Sequence, residues 1–328
     1  MNKRHLGWFL AAIGAGVIAY FVHRLGLDRL FAAFSTMGWG LAILLALPLF
    51  LYFVHAVGWS YTLSRENREG IGLLRLTVLQ IFSYGISGVQ PMQFFVGEPL
   101  KLAFLRGTDC DQEDVAASLL LDNTINGIAI CIVGAAGLVY LAAALVSGLW
   151  VKLVITGILV AFAALLSGLI LIQKRGLFSG VLNLLGRLGP LAGFRDRHVE
   201  QAERIDRRVR LFYNENRRGF WLALLYHLVE KAHGVAEFWF IFHLLGMDLS
   251  LGACFFVFSV AQSLENLLFF AQVGGMEAWV SSTLSWINVT RDSINITAAL
   301  FRRVRFLFWG IVALLMIGPM RRLFARGR

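Results

Sequence analysis

The chain has 328 residues, of which 58% are hydrophobic and 15% charged; its net charge is +10 and its mean hydropathy +0.70. Soluble domains run about 45–50% apolar and about 25% charged, and a chain of this length cannot enclose so much apolar surface in one core. The composition excludes an ordinary soluble protein and makes lipid the expected solvent for most of the chain. Three scattered cysteines, Cys110, Cys131 and Cys254, exclude a disulfide framework and argue against a zinc site.

A bilayer-spanning helix needs about 20 mostly apolar residues. Such stretches occur at 6–22, 39–62, 73–90, 116–145, 150–172, 219–245, 251–271 and 294–319. The first follows Lys3 and Arg4, is long, and has no small-x-small cleavage site, so it is expected to be an uncleaved anchor. The expected fold class is all-α: a polytopic integral membrane protein of about eight full spans in a single transmembrane domain, residues 1–328.

Lys and Arg mark the cytoplasmic side. The segment 173–218 carries eleven of them and is expected to be a basic cytoplasmic loop. Lys3 and Arg4, the turn at 63–75 with Arg65, Arg68 and Arg75, and the tail with Arg321, Arg322, Arg326 and Arg328 belong on the same side. Both termini are therefore expected in the cytoplasm. Counting crossings between these regions leaves one missing in each half. The stretches 88–106 and 272–287, short and interrupted by Gly or Pro, supply the missing pair if each crosses or re-enters as a broken helix. The acidic run Asp109, Asp111, Glu113 and Asp114 then also faces inside, against which acidic residues weigh little.

The halves resemble one another. His55-Ala-Val-Gly-Trp59 matches His233-Gly-Val-Ala-Glu-Phe-Trp239, and Gly97-Glu98-Pro-Leu-Lys101 matches Gly275-Met-Glu277-Ala-Trp279. Ala117-Ser-Leu-Leu-Leu-Asp122 matches Thr297-Ala-Ala-Leu-Phe-Arg302, and the three offsets are 178, 179 and 180. The expected repeats, 39–145 and 219–319, run in opposite directions. Inverted repeats with broken helices place a transport site near the bilayer midplane.

Charge inside a membrane needs a partner, water or a substrate. Glu98 and Glu277 stand one in each broken segment. Lys101 shares a helical face with Glu98, as a structural ion pair or as part of the path. Asp122 and Arg302 occupy matching repeat positions with opposite charge; they can bridge, or Arg302 can meet a lipid phosphate. His227, Glu230, His233 and Glu237 make a polar stripe along 219–245, which suits a cavity lining or a proton relay. Carboxylate-bridged metal sites use two E-x-x-H motifs and two further glutamates. Only Glu230-Lys-Ala-His233 is present, so no metal or cofactor is expected. Arg302, Arg303 and Arg305 cluster at the start of the last span, and some must turn inward. Residues 199–211 read as an amphipathic helix on anionic inner-leaflet lipid; nucleic acid is a poor fit to charge so close to spans.

Two motifs carry a resemblance. Gly97-Glu98-x-x-Lys101-x-x-x-Leu105, followed by Ala116-Ala-Ser-Leu-Leu-Leu-Asp122, resembles the first motif of the lysylphosphatidylglycerol synthase transmembrane family, also called flippase-like. Val273-Gly-Gly-Met-Glu277 with Ala298-Ala-Leu-x-x-Arg303 resembles the second. The sequence departs from the usual pattern: no basic residue precedes Gly97, Lys101 stands for Arg, and Ala271-Gln272 stand for the second motif's proline. Either Arg302 or Arg303 takes the final arginine.

The resemblance implies an inner-membrane protein of bacteria that moves a polar or isoprenoid-derived lipid between leaflets. It implies a stand-alone member without the aminoacyl transferase domain of the family's namesake. Some such members are associated with hopanoids and others with glycolipids or surface polymers. The expected path residues are Glu98, Lys101, Asp122, Glu230, His233, Glu237, Glu277, Arg302 and Arg303. The expected partners are membrane lipids, with a homo-oligomer left open. A lipid-modifying membrane enzyme and a scaffold for an envelope-lipid complex remain rival readings.

Overall fold

The computed structural model describes residues 35, 38–88, 93–106, 108–144, 149–187, 192–267, 284 and 292–324. Among them every regular element is a helix: α1 (Trp39–Ser60), α2 (Arg65–Ile71), α3 (Leu73–Gly88), α4 (Gln93–Leu105), α5 (Gln112–Ala144), α6 (Leu149–Gly186), α7 (Ala192–Glu215), α8 (Arg217–Leu244), α9 (Leu251–Leu267) and α10 (Asp292–Leu323).

Four stretches are long and apolar enough to cross a bilayer: Trp39–Ser60, Gln112–Tyr140, Ala163–Leu184 and Val304–Leu323. A fifth is the pair α2 and α3, bent by 79°. The described residues thus make a helical membrane protein but do not reach eight spans. The expected span at 6–22 and most of the broken segment at 272–287 lie outside them. Helix α8 has 28 residues, about 42 Å at 1.5 Å each, and so has the length. It carries Arg217, Arg218, Glu230, Lys231 and Glu237, which lower its apolar character. Helix α9 has 17 residues, and its described apolar stretch is Leu251–Ser263. Helix α4, with 13 residues, reaches about 20 Å, short of a hydrocarbon core about 30 Å thick.

The chain forms two compact units. One takes the described residues up to Phe53 with Thr77–Phe104 and Glu230–Arg328; the other takes Val54–Leu76 and Leu105–Val229. Within the first, Tyr52 meets Tyr84 at 5.5 Å and the edge of Trp309 at 5.2 Å between ring centres. Trp309 Nε1 donates to the Leu45 carbonyl at 3.2 Å, so α1, α3 and α10 are joined by both rings and a hydrogen bond. Phe238 packs on Phe258, and Phe104 on Phe82 and Phe324.

The second unit is organised along α5. Ala117, Leu121 and Ile125 recur every four residues and so share one face. They are buried with Ile205, Val209 and Phe212 of α7 and with Ala223 and Leu224 of α8. The chain at α1 and α2 runs along another face of α5 as a series of paired rungs. His55 meets Asp122, and Trp59 Nε1 donates to Ser118 Oγ at 3.1 Å. The Ser64 N–H and Asn67 Nδ2 donate to Asp114 Oδ2 at 3.0 and 2.6 Å. The Asp111 N–H donates to Asn67 Oδ1 at 3.0 Å. As residue numbers rise on one strand of this ladder they fall on the other, so the two segments are antiparallel. Ser64 also caps α2, accepting from the Asn67 N–H, and Gly72 closes the helix at φ 77°.

The described residues of the basic segment 173–218 are largely helical. Helix α6 continues to Gly186 through a break at Gly176, and α7 extends the expected amphipathic helix at both ends. Among the described residues the apolar stretch of α6 long enough to cross is Ala163–Leu184, which overlaps the expected 150–172. Gly176 has φ 109° and ψ 81°, a conformation that disfavours any side chain. The helix restarts beyond it with free N–H groups, and Asp206 of α7 satisfies them. Its carboxylate accepts from the Phe178 N–H at 3.0 Å, the Ser179 N–H at 2.8 Å and Ser179 Oγ at 2.6 Å. Nearby, burial pushes the Tyr213 phenol up to about 12, and its hydroxyl donates to Gln173 Oε1 at 2.8 Å. Charge-assisted hydrogen bonds are worth about 1.5–3 kcal/mol. Asp206→Ala is therefore expected to cost about 2 kcal/mol and to speed amide exchange after Gly176. Unchanged exchange there would show that the cap does not hold the break.

The acidic run that resisted the topological reading has a local explanation. Arg204 pairs with Glu113 at 2.9 Å and Arg208 with Asp111 at 2.6 Å. The acidic run and the basic helix α7 therefore meet within one unit, and opposite charges put them on the same side.

Candidate functional site

In the first unit the candidate site begins at α4. A Cβ at Gly97 would come within 2.6 Å of both Ser83 Oγ and Ser87 Oγ on α3, so only glycine lets these helices approach so closely. That approach seats the next residue. Glu98 Oε1 accepts from Lys101 Nζ at 2.9 Å, the i,i+3 pair that the spacing predicts. Lys101 is 1% exposed, whereas the Glu98 side chain is 26% exposed. Glu98 Oε2 is itself buried and has no hydrogen-bond partner among the described residues. On α3, Gln80 is fully buried and neither polar atom of its amide has a partner among the described residues. Unpaired buried polar atoms cost several kcal/mol in hydrocarbon, so these atoms are suited to meeting water or a polar headgroup.

Helices α8 and α10 add a second group. Glu237 and Arg305 form a buried ion pair. Tyr52 and His233 both lie within electrostatic reach of that pair, and the His233 ring is 5.6 Å from Phe50. Glu230 bonds its neighbour Lys231 at 2.8 Å, and both are buried. The polar stripe expected on α8 is thus resolved into ion pairs along its second half. The arginine cluster is resolved at one position, because Arg305 is the member seen turning inward. Arg302 and Arg303 lie on α10 with their side chains outside the described residues, and Glu277 lies outside them altogether.

Asp122 belongs to the second unit. Its two carboxylate oxygens accept from His55 Nε2 and His227 Nε2, each at 3.0 Å. All three residues are buried, and the imidazoles meet edge to face with 4.7 Å between centres. Arg302, weighed as a partner for Asp122, has no described side chain with which to test it. Sequence reasoning missed His55 and His227 as the carboxylate's partners and Arg305 as that of Glu237. Each was visible: His55 opens a repeat match, His227 lies on the polar stripe, and Arg305 is one turn beyond Arg302. The chain positions alone do not say that they meet.

Long apolar helices holding charged pairs out of solvent define a helical membrane protein. The family model described as the lysylphosphatidylglycerol synthase TM region matches residues 8–313. The chain belongs to that family. Comparison with curated proteins and with solved structures gives no match.

Proposed function

We propose that this protein is a transporter, not an enzyme, and moves a lipid between the leaflets of a bacterial inner membrane. Glu98 carries the reading. It is a carboxylate on a helix too short to cross, inside a membrane protein, with one oxygen paired to buried Lys101 and the other unpaired. Membership of the family supports a lipid as the substrate.

In this reading the segments 88–106 and 272–287 are broken helices of two inverted repeats, 39–145 and 219–319. They complete a topology of about eight spans with both termini in the cytoplasm. Glu98 and Glu277 line a polar path between the leaflets, and Lys101 pairs with the first. Glu230, His233 and Glu237 line the same path from α8, with Arg302 or Arg303 offered to a lipid phosphate. Alternating access follows from rocking one repeat against the other.

The test is leaflet exchange of fluorescent phospholipids in liposomes holding the purified chain, beside Glu98→Gln/Glu277→Gln. Wild-type protein is expected to speed exchange, and the double variant to return it to the rate of empty liposomes. The variant should keep its gel-filtration profile. Equal exchange by both proteins would refute the assigned path. Chemical alteration of the lipid by the wild type would favour an enzyme instead.

A further inference from the structure

We propose that His55, Asp122 and His227 form a binding site for one divalent transition-metal ion, with zinc the best match. Asp122 is the one expected path residue that the site takes, and the argument for the site does not depend on the path.

The argument rests on convergence. The three side chains come from α1, α5 and α8, far apart in sequence, and their ligand atoms all lie within 4.8 Å of one another. The donors are two imidazole nitrogens and a carboxylate, a set that zinc and its first-row neighbours accept. Zinc bonds to such atoms are about 2.0–2.2 Å long, which sets neighbouring donors about 3.0–3.4 Å apart. Each nitrogen lies 3.0 Å from a different oxygen of the carboxylate, so an ion between them would take one of those oxygens or both. The two nitrogens need draw together by no more than about 1.5 Å to share an ion.

The charge balance points the same way. A buried carboxylate can be satisfied by ordinary N–H donors, and this chain does so twice. Asp114 takes Asn67 and the Ser64 N–H, and Asp206 takes two backbone N–H groups and a serine. Among the described residues, only at Asp122 do two histidines converge on one carboxylate, each through Nε2, with all three side chains closed to solvent.

The surroundings also hold the donors in place. One helical turn from His55 and Asp122, Trp59 Nε1 bonds Ser118 Oγ, and Thr62 Oγ1 bonds the Ser118 carbonyl at 3.1 Å. Ligands on helices locked by neighbouring contacts are held more accurately than ligands on loops. Three protein ligands leave a fourth tetrahedral position for water or another donor. The ion would fasten α1, α5 and α8 together, a structural role within their unit.

The test uses the full-length chain in detergent, stripped with a chelator and titrated with Co2+ as a coloured substitute for Zn2+. The expected result is one Co2+ per chain with the intense visible bands of a low-coordinate ion, displaced by one equivalent of Zn2+. His227→Ala, His227→Gln and Asp122→Asn should each weaken Co2+ binding by more than about a hundredfold, beyond the effect of losing an outer-shell contact. His243→Ala, at an exposed histidine, should leave it unchanged.

X-ray absorption of the Zn2+-loaded wild type provides a measurement that needs no variant to fold. Scattering from two imidazoles and oxygen would support the site. Sulfur ligation, or the absence of imidazole scattering, would overturn it. Stripped protein that elutes as one species but binds no stoichiometric Co2+ would show that the three residues form a hydrogen-bonded triad only. Co2+ binding that survives in folded His227→Gln and Asp122→Asn proteins would place the ion elsewhere and also overturn the proposal.

Discussion

Arg305→Met is expected to destabilise the protein by about 3–5 kcal/mol, the usual cost of removing one partner from a buried ion pair. Its guanidinium and the Glu237 carboxylate are both closed to solvent, with side chains 8% and 6% exposed. Met matches much of the volume of Arg but leaves Glu237 with an uncompensated charge. Part of the loss can be avoided by protonating the carboxyl, which is itself costly at neutral pH. The double substitution Glu237→Leu/Arg305→Met removes both charges and should recover most of the loss, because apolar replacements of whole buried pairs are often neutral or stabilising. Thermal unfolding in one detergent, for wild type, both single variants and the double, measures the coupling directly. A single-variant loss within about 0.5 kcal/mol, typical of a surface change, would contradict burial of the pair.

A comparable loss is expected in the other unit from Trp59→Ala. The indole is 0% exposed, and Trp→Ala in a packed interior costs about 3–5 kcal/mol through lost contacts and the cavity left behind. Ser118→Ala, which removes the acceptor of the indole N–H and a donor to the Val115 carbonyl, should cost about 1–3 kcal/mol. In the double variant the serine contribution should largely disappear, since its partner has gone. Additive losses would mean that the bond seen between Trp59 and Ser118 contributes nothing of its own. Both predictions concern packing, so they are read from unfolding and not from transport.

The hydropathy pattern locates α1, α5 and α10 well, because a continuous apolar run of sufficient length has few alternatives in lipid. It also places α8, expected at 219–245 and found at Arg217–Leu244, although Glu230, Lys231 and Glu237 dilute the signal there with charges consumed in buried pairs. Within 173–218 the amphipathic helix expected at 199–211 is part of α7, whose buried face is carried by only a few positions such as Ile205, Val209 and Phe212.

The candidate site is legible in part. The Glu98–Lys101 pair is local, set by helical spacing, and the sequence predicts it. The partners of Asp122 come from segments 67 and 105 residues distant, and no local periodicity encodes such a meeting. The choice among Arg302, Arg303 and Arg305 depends on the rotation of α10 about its own axis. Composition says nothing about that angle.

The ladder between α1–α2 and α5 carries a consequence for the order of assembly. Its rungs span 44 residues at Asn67 and Asp111, 50 at Ser64 and Asp114, 59 at Trp59 and Ser118, and 67 at His55 and Asp122. The loop entropies of the first and last differ by only about 0.4 kcal/mol, so loop length scarcely ranks them. Closing the first, however, leaves each later rung to enclose one further turn of two helices already side by side. Pairing therefore zips outward from Asn67 and ends at Asp122. All of it can be complete when synthesis has passed α5 at Ala144, about 80 residues before His227 exists. The nascent chain then holds Asp122 with one histidine and one carboxylate oxygen still to be matched, and the arrival of α8 closes the unit.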